Sequence, residues 1–122
     1  MDDRDNIQSG DLVMMIVSSD LESSGHILNL VREEGFKGII VTRADDAMAL
    51  AREFNPQGII LKSDSEGWIL FDRLKRTLDT RHIPVEIIGD KKDRKHALSL
   101  GAFAFIEEGS SDEVFTDAMQ SR

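Results

Sequence analysis

The chain has 122 residues, a length that supports one domain around a single core. Apolar residues make up 40% and charged residues 31%, the balance of a folded globular protein and not of a disordered one. Fifteen basic against twenty-three acidic residues leave a net charge of −8, which repels phosphate backbones and anionic headgroups and argues against nucleic acid or a membrane surface as partner.

The polar, acidic start, MDDRDNIQSGD, is unlike a secretory signal. Residues 1–10 read as a linker, flexible at Ser9-Gly10, ahead of a domain over residues 11–122. Cysteine is absent, so no disulfide or thiol chemistry enters, which fits a reducing cytoplasm. Five short apolar runs follow: Leu12 to Val17, Gly38 to Thr42, Gly58 to Leu61, Val85 to Ile88 and Ala102 to Ile106. Most are rich in Val and Ile on both faces, as strands of a parallel sheet covered by helices are, and Glu86 is the one charged interruption. The longest, Leu12 to Val17, falls far short of the ~20 residues that cross a bilayer, so no membrane insertion is expected.

Helix-period segments separate the runs. Ile27, Leu30 and Val31 form the first stripe, stopped at Gly35, and Ala47, Leu50, Ala51 and Phe54 form the second, stopped at Asn55-Pro56. Leu70, Phe71 and Leu74 mark the third helix, which Trp68 opens as a packing residue. Ala97 and Leu100 mark the fourth, and Val114, Phe115 and Ala118 the fifth. Ser19 with Glu22 and Ser110 with Glu113 fit the capping box, and Asp90 suits the start of the fourth helix. Arg73, Lys75, Arg76 and Arg81 are interspersed with Asp72 and Asp79 and read as a solvated face. Five βα units in this length imply a doubly wound, five-stranded parallel sheet with right-handed crossovers. Such a sheet places its ligand site beyond the carboxyl ends of the strands, here at Ser18–Asp20, Lys62–Asp64, Gly89–Asp90 and Glu107–Gly109.

Familiar catalytic motifs are missing. The first turn, SSDLESSG, lacks G-x-G-x-x-G, and no Walker A loop or G-x-S-x-G elbow occurs. His26, His82 and His96 lack ligand spacing, and Met14 and Met15 read as core filler.

The stretch GIILKSDSEGWILFDRL at 58–74 resembles the third strand and third helix of response-regulator receiver domains. TRHIPVEIIGD at 80–90, LGAFAFIEEGS at 100–110, the opening LVMMIVSSD and REEGF at 32–36 continue the resemblance over the chain after residue 10. It is closest to receivers of hybrid sensor histidine kinases, in which DRDNIQSGD resembles the inter-domain linker. The resemblance implies the (βα)5 flavodoxin-like fold, with strand order 2-1-3-4-5. It also implies an Asp nucleophile after the third strand, an acidic pair holding Mg²⁺ after the first, a Ser or Thr after the fourth and a Lys after the fifth. Here Lys62 stands at the nucleophile, and Ser18 and Ser19 stand at the acidic pair with Asp20 alone beside them. Gly89 replaces the hydroxyl residue, and Glu108 with Gly109 replaces the lysine and the proline that follows it. Nucleophile, metal ligands and electrostatic clamps are therefore all lost, and no cofactor or metal is expected.

Lys62 and Glu108 carry the receiver's charges in reverse, so an inverted ion pair is expected, with Asp20 or Asp90 as further acceptors. The plainer alternative sends Lys62 to solvent along its own stem. A Schiff-base lysine is disfavoured, because neighbouring carboxylates raise an amine's pKa. A shifted acceptor at Asp64, with Asp20 and Asp90 on a metal, is a further alternative, as is a small anionic ligand. The expected role is a docking or regulatory module within a larger kinase, contacting a protein partner or other domains of that kinase. The face of the fourth helix, fifth strand and fifth helix would serve this, with Phe105 at the switch-aromatic position and Gly89 unable to move it. A structural spacer is the bland rival.

Overall fold

Strands with no polar face need cover on both sides, and that requirement organises the chain. The computed structural model describes residues 1–120. Five strands, β1 (Val13–Val17), β2 (Lys37–Val41), β3 (Gly58–Lys62), β4 (Val85–Gly89) and β5 (Ala104–Glu107), form one parallel sheet in the order β2-β1-β3-β4-β5. Helices α1 (Leu21–Glu33), α2 (Ala44–Phe54), α3 (Ser65–Arg76), α4 (Arg94–Ser99) and α5 (Asp112–Gln120) connect and cover the strands.

Alternation along each strand splits the core in two. Met15, Ile39, Ile59 and Ile87 pack with Ala47, Leu70, Phe71, Leu74 and Ala97 of α2, α3 and α4. Met14, Ile16 and Ile60 pack with Ile27, Val31, Phe115 and Met119 of α1 and α5. The two methionines thus fill opposite cores, both fully buried. Glu86, in register between Ile60 and Ala104, is also fully buried. Trp68 packs edge-on against Phe71 and against His96, tying α3 to α4. No helix of the described residues is long and apolar enough to cross a membrane.

Helix ends depart from expectation by small, explicable steps. Asp20, not Ser19, caps α1, accepting from the N–H of Glu22 at 3.1 Å and of Ser23 at 3.3 Å. The Ser18 hydroxyl accepts from the Asp20 N–H at 3.1 Å, which holds the cap in place and starts the helix one residue later. α5 likewise starts at Asp112, with the Ser111 hydroxyl facing the Val114 N–H at 3.4 Å in place of a box from Ser110. Asp90 caps a 3₁₀ turn, Lys91–Asp93, that feeds α4. That helix stops at Ser99, because Gly101 turns with φ +100°, so Leu100 lies outside it and exposed. Val114 is also exposed, while its neighbour Phe115 is buried. Trp68 sits one turn inside α3, whose first residue is Ser65. Lys75 leaves the basic face: its Nζ turns inward to donate to the Ile83 carbonyl at 3.1 Å, and burial pushes its pKa down.

Residues 2–6 lie along the sheet instead of leading loosely into it. In β2 the N–H and C=O groups of Lys37, Ile39 and Val41 turn to β1, leaving those of Gly38 and Ile40 on the open edge. Asp3 donates its N–H to the Gly38 carbonyl and accepts the Gly38 N–H on Oδ2, both at 2.9 Å. Asp2 accepts the Ile40 N–H at 2.8 Å, and Arg4 Nη2 donates to the Ile40 carbonyl at 2.7 Å. Arg32 of α1 anchors the segment through Asp3 at 2.8 Å and the Met1 carbonyl at 3.2 Å.

Both carboxyls are held below their ordinary range. Burial pushes Asp2 up, but the Arg4 guanidinium and the Ile40 and Arg4 N–H groups outweigh it. The Arg32 guanidinium is the main cause at Asp3, where the Gly38 N–H adds to it against burial. A depressed folded pKa contributes stability that is present above the unfolded value and lost as pH falls through the folded one. Asp2→Ala with Asp3→Ala should therefore cost about 1–3 kcal/mol at neutral pH, with most of the difference disappearing below about pH 4, as measured by urea denaturation across pH.

Candidate functional site

The strand order reverses between β1 and β3, and the four expected loops meet beyond their carboxyl ends. Lys62 is the last residue of β3, in register with Ile88, and its side chain crosses above β4. Its Nζ lies 3.0 Å from Oε1 of Glu108, which follows β5 and whose N–H donates to the Gly89 carbonyl at 2.8 Å. The expected inverted pair is present, with Lys62 23% and Glu108 60% exposed in their side chains. The further contacts with Asp20 or Asp90 do not form, because those carboxylates face backbone N–H groups at the helix starts.

Asp64 has the same occupation. Its Oδ1 accepts the Gly67 N–H at 2.7 Å and caps α3. Three carboxylates at the carboxyl edge, Asp20, Asp64 and Asp90, are thus all helix or turn caps. Each meets an orphan donor that the strand-to-helix turn creates. Among the described residues no group of three or more His, Asp or Glu side chains is placed to hold a metal ion. Ser18 is buried and committed to the Asp20 cap, while Ser19 is exposed.

Two glycines show how tightly the loops are set. A Cβ on Gly67 would lie 1.9 Å from the Lys62 carbonyl oxygen, so only glycine lets α3 start this close to the end of β3. A Cβ on Gly89 would lie 1.9 Å from the Ser63 hydroxyl oxygen and 2.8 Å from Ser63 Cβ. Ser63 fills the volume that a side chain after β4 would take. The Phe105 ring closes the same space, 3.5 Å from that Cβ position, and is itself buried. Reading the sequence singled out Gly89 but missed Ser63, since nothing in the order of residues links a serine after β3 to a glycine after β4. The crevice between β1 and β3, lined by Ser18, Ser19, Thr42, Lys62, Asp64 and Gly67 among others, holds only about 20 Å³. On the side of β4, Lys62, Ser63, Asp64, Ile88 and Glu108 border a second, more open hollow of about 130 Å³.

His26 and Asp112 meet at 2.8 Å between α1 and α5, and His82 faces Asn55 at 3.4 Å. Neither belongs to the crevice.

The steric locks generate a double-mutant test. Gly89→Ala should cost about 1–3 kcal/mol by overpacking against Ser63, and Ser63→Gly in the same chain should recover most of it, as read by denaturant midpoints. Gly67→Ala meets backbone and should cost at least ~3 kcal/mol, with no single side-chain truncation rescuing it.

No protein-family model and no curated protein matches the sequence. Solved structures do. The signal receiver domain of a signal transduction histidine kinase from Syntrophus aciditrophicus is similar at 24% identity, with a TM-score of 0.78 over 89% of this chain and 87% of that one. A response regulator from Desulfuromonas acetoxidans is similar at 23% identity, with a TM-score of 0.80 over 90% and 94%. A chemotaxis protein of Vibrio cholerae reaches a TM-score of 0.81 over 92% and 98% at 11% identity. With its 2-1-3-4-5 parallel sheet and these matches, the chain has the fold of a response-regulator receiver domain.

Proposed function

We propose that this chain is a receiver-like domain of two-component signalling that does not take a phosphoryl group. In this reading it is not an enzyme and acts as a protein-interaction or regulatory module, within a hybrid histidine kinase on the cytoplasmic side. The observation that carries the reading is Lys62 at the end of β3, its ammonium engaged with Glu108 where a receiver would present its Asp. A lysine there offers no carboxylate oxygen to form an acyl phosphate, and a cation in that place disfavours a second one.

The rival acceptor, Asp64, has an oxygen engaged in the α3 cap, where it accepts the Gly67 N–H at 2.7 Å. Among the described residues Lys62, already paired with Glu108, is the one basic side chain lining the crevice and the neighbouring hollow, which counts against a nucleotide-sized anion. Support for an interaction role comes from exposed apolar side chains on α4 (Leu98), on α5 (Val114) and in the connection between α4 and β5 (Leu100 and Phe103). Phe105 lies buried, packed towards Gly89 and Ser63, so no hydroxyl after β4 links its position to the crevice. Similarity to the receiver domain of a signal transduction histidine kinase supports the kinase context.

Acetyl phosphate with Mg²⁺ should leave the domain's mass unchanged by mass spectrometry and its oligomeric state unchanged by light scattering. Stoichiometric labelling of Asp64, or of any other carboxylate, would overturn the proposal. Lys62→Asp alone should also stay unlabelled, because it sets a carboxylate against Glu108 without restoring the metal ligands.

A further inference from the structure

The open edge of β2 is closed by side chains. Its outward backbone groups belong to Gly38 and Ile40, two donors and two acceptors, and all four are met by Asp2, Asp3 and Arg4. The segment imitates a sixth strand while contributing only one backbone hydrogen bond of its own, Asp3 N–H to the Gly38 carbonyl. Such a cover is held from its flanks. Arg32 grips Asp3 and the Met1 carbonyl, and Lys37 donates to the Asn6 carbonyl and pairs with Asp11 at 3.0 Å.

We propose that residues 2–4 are a detachable guard, and that the edge they cover pairs antiparallel with β2 of a second copy of this chain when the guard is removed. An unpaired strand edge is a template for another strand, and a guard made of side chains is a device against such pairing. A second copy fits this edge by register and by charge. A two-fold axis through Ile39 sets Gly38 of one copy opposite Ile40 of the other. In an antiparallel ladder residues so placed exchange both their N–H and C=O groups. The two donors and two acceptors then satisfy one another with nothing left over, which is what an isologous contact requires. The same axis sets each Lys37 opposite Val41, so the one charged residue of β2 meets an apolar neighbour and not its own copy. The remaining residues, Gly38, Ile39, Ile40 and Val41, carry no charge. This inference stands apart from the question of phosphorylation, since the groups that exchange hydrogen bonds, those of Gly38 and Ile40, contact none of Lys62, Asp64 and Glu108.

The test compares the wild-type chain with Asp2→Ala/Asp3→Ala by light scattering and by amide hydrogen exchange. The wild type should remain a monomer with the Gly38 and Ile40 amides protected. When dilute, the double variant should lose at least ~10-fold protection at those two amides while Ile39 and Val41 keep theirs. On concentration towards about 1 mM, the weak end of specific association, it should form a dimer in which Gly38 and Ile40 are protected again. A folded variant that stays monomeric overturns the proposal, as does a dimer that leaves the two amides exchanging freely. A wild type that dimerises equally well overturns it too. Should the double variant fail to fold, Arg32→Ala removes the flank anchor and keeps both carboxylates. It should then show dimers at lower concentration than wild type, and an unchanged monomer would overturn the proposal.

Discussion

Backbone N–H groups that the parallel sheet and its helices cannot pair among themselves set the terms for most of this molecule. A parallel βα unit leaves orphan donors at each helix start, and an edge strand leaves them along its length. This chain meets both needs with aspartate. Asp20, Asp64 and Asp90 cap elements at the carboxyl edge, while Asp2 and Asp3 close β2. A carboxylate turned to backbone donors is oriented by them, and its lone pairs are partly spoken for. Among the described residues, no three of the acids are gathered where they could hold a metal ion.

Magnitudes rank what holds the carboxyl edge in shape. The Lys62–Glu108 pair is the most visible feature, yet Glu108 is 60% exposed in its side chain, and pairs of this kind contribute about 0–1 kcal/mol. Packing counts for more. Backbone contact at Gly67 and the interlock of Ser63 with Gly89 leave no slack, and close-packed interiors resist even a methyl group. The ion pair therefore selects among side-chain arrangements on a frame that steric fit has already defined.

The alternation of apolar runs with helix-period stripes carried the architecture, because buried parallel strands and amphipathic helices impose different periods on the chain. All five strands and five helices lie where those periods place them, with most ends shifted by a residue or two, α3 starting three residues before Trp68 and α4 starting only after the 3₁₀ turn that Asp90 caps. Cap residues were harder to assign, since Ser18, Ser19 and Asp20 are all competent and only the local geometry selects Asp20. The Lys62–Glu108 contact was legible because the resemblance puts opposite charges at the ends of β3 and β5, and the structure selects the pair over a lysine turned to solvent. Ser63 against Gly89 was not legible, and neither was the closure of β2 by residues 2–4. Both depend on how loops distant in sequence come into register, which no local pattern encodes. The first segment was read as a linker for its polarity, the very property that lets it bond to an open strand edge.

The contact between Ser63 and Gly89 also bears on how such a sequence can change over generations. A hydroxyl residue introduced after β4 collides with Ser63, and a smaller residue at 63 introduced first leaves a void beside Phe105. An aspartate introduced at position 62 loses its partner and faces Glu108, a like charge. Positions 63 and 89 are thus coupled by volume, and positions 62 and 108 by charge. A change at one member of either pair is tolerated best when its partner changes with it.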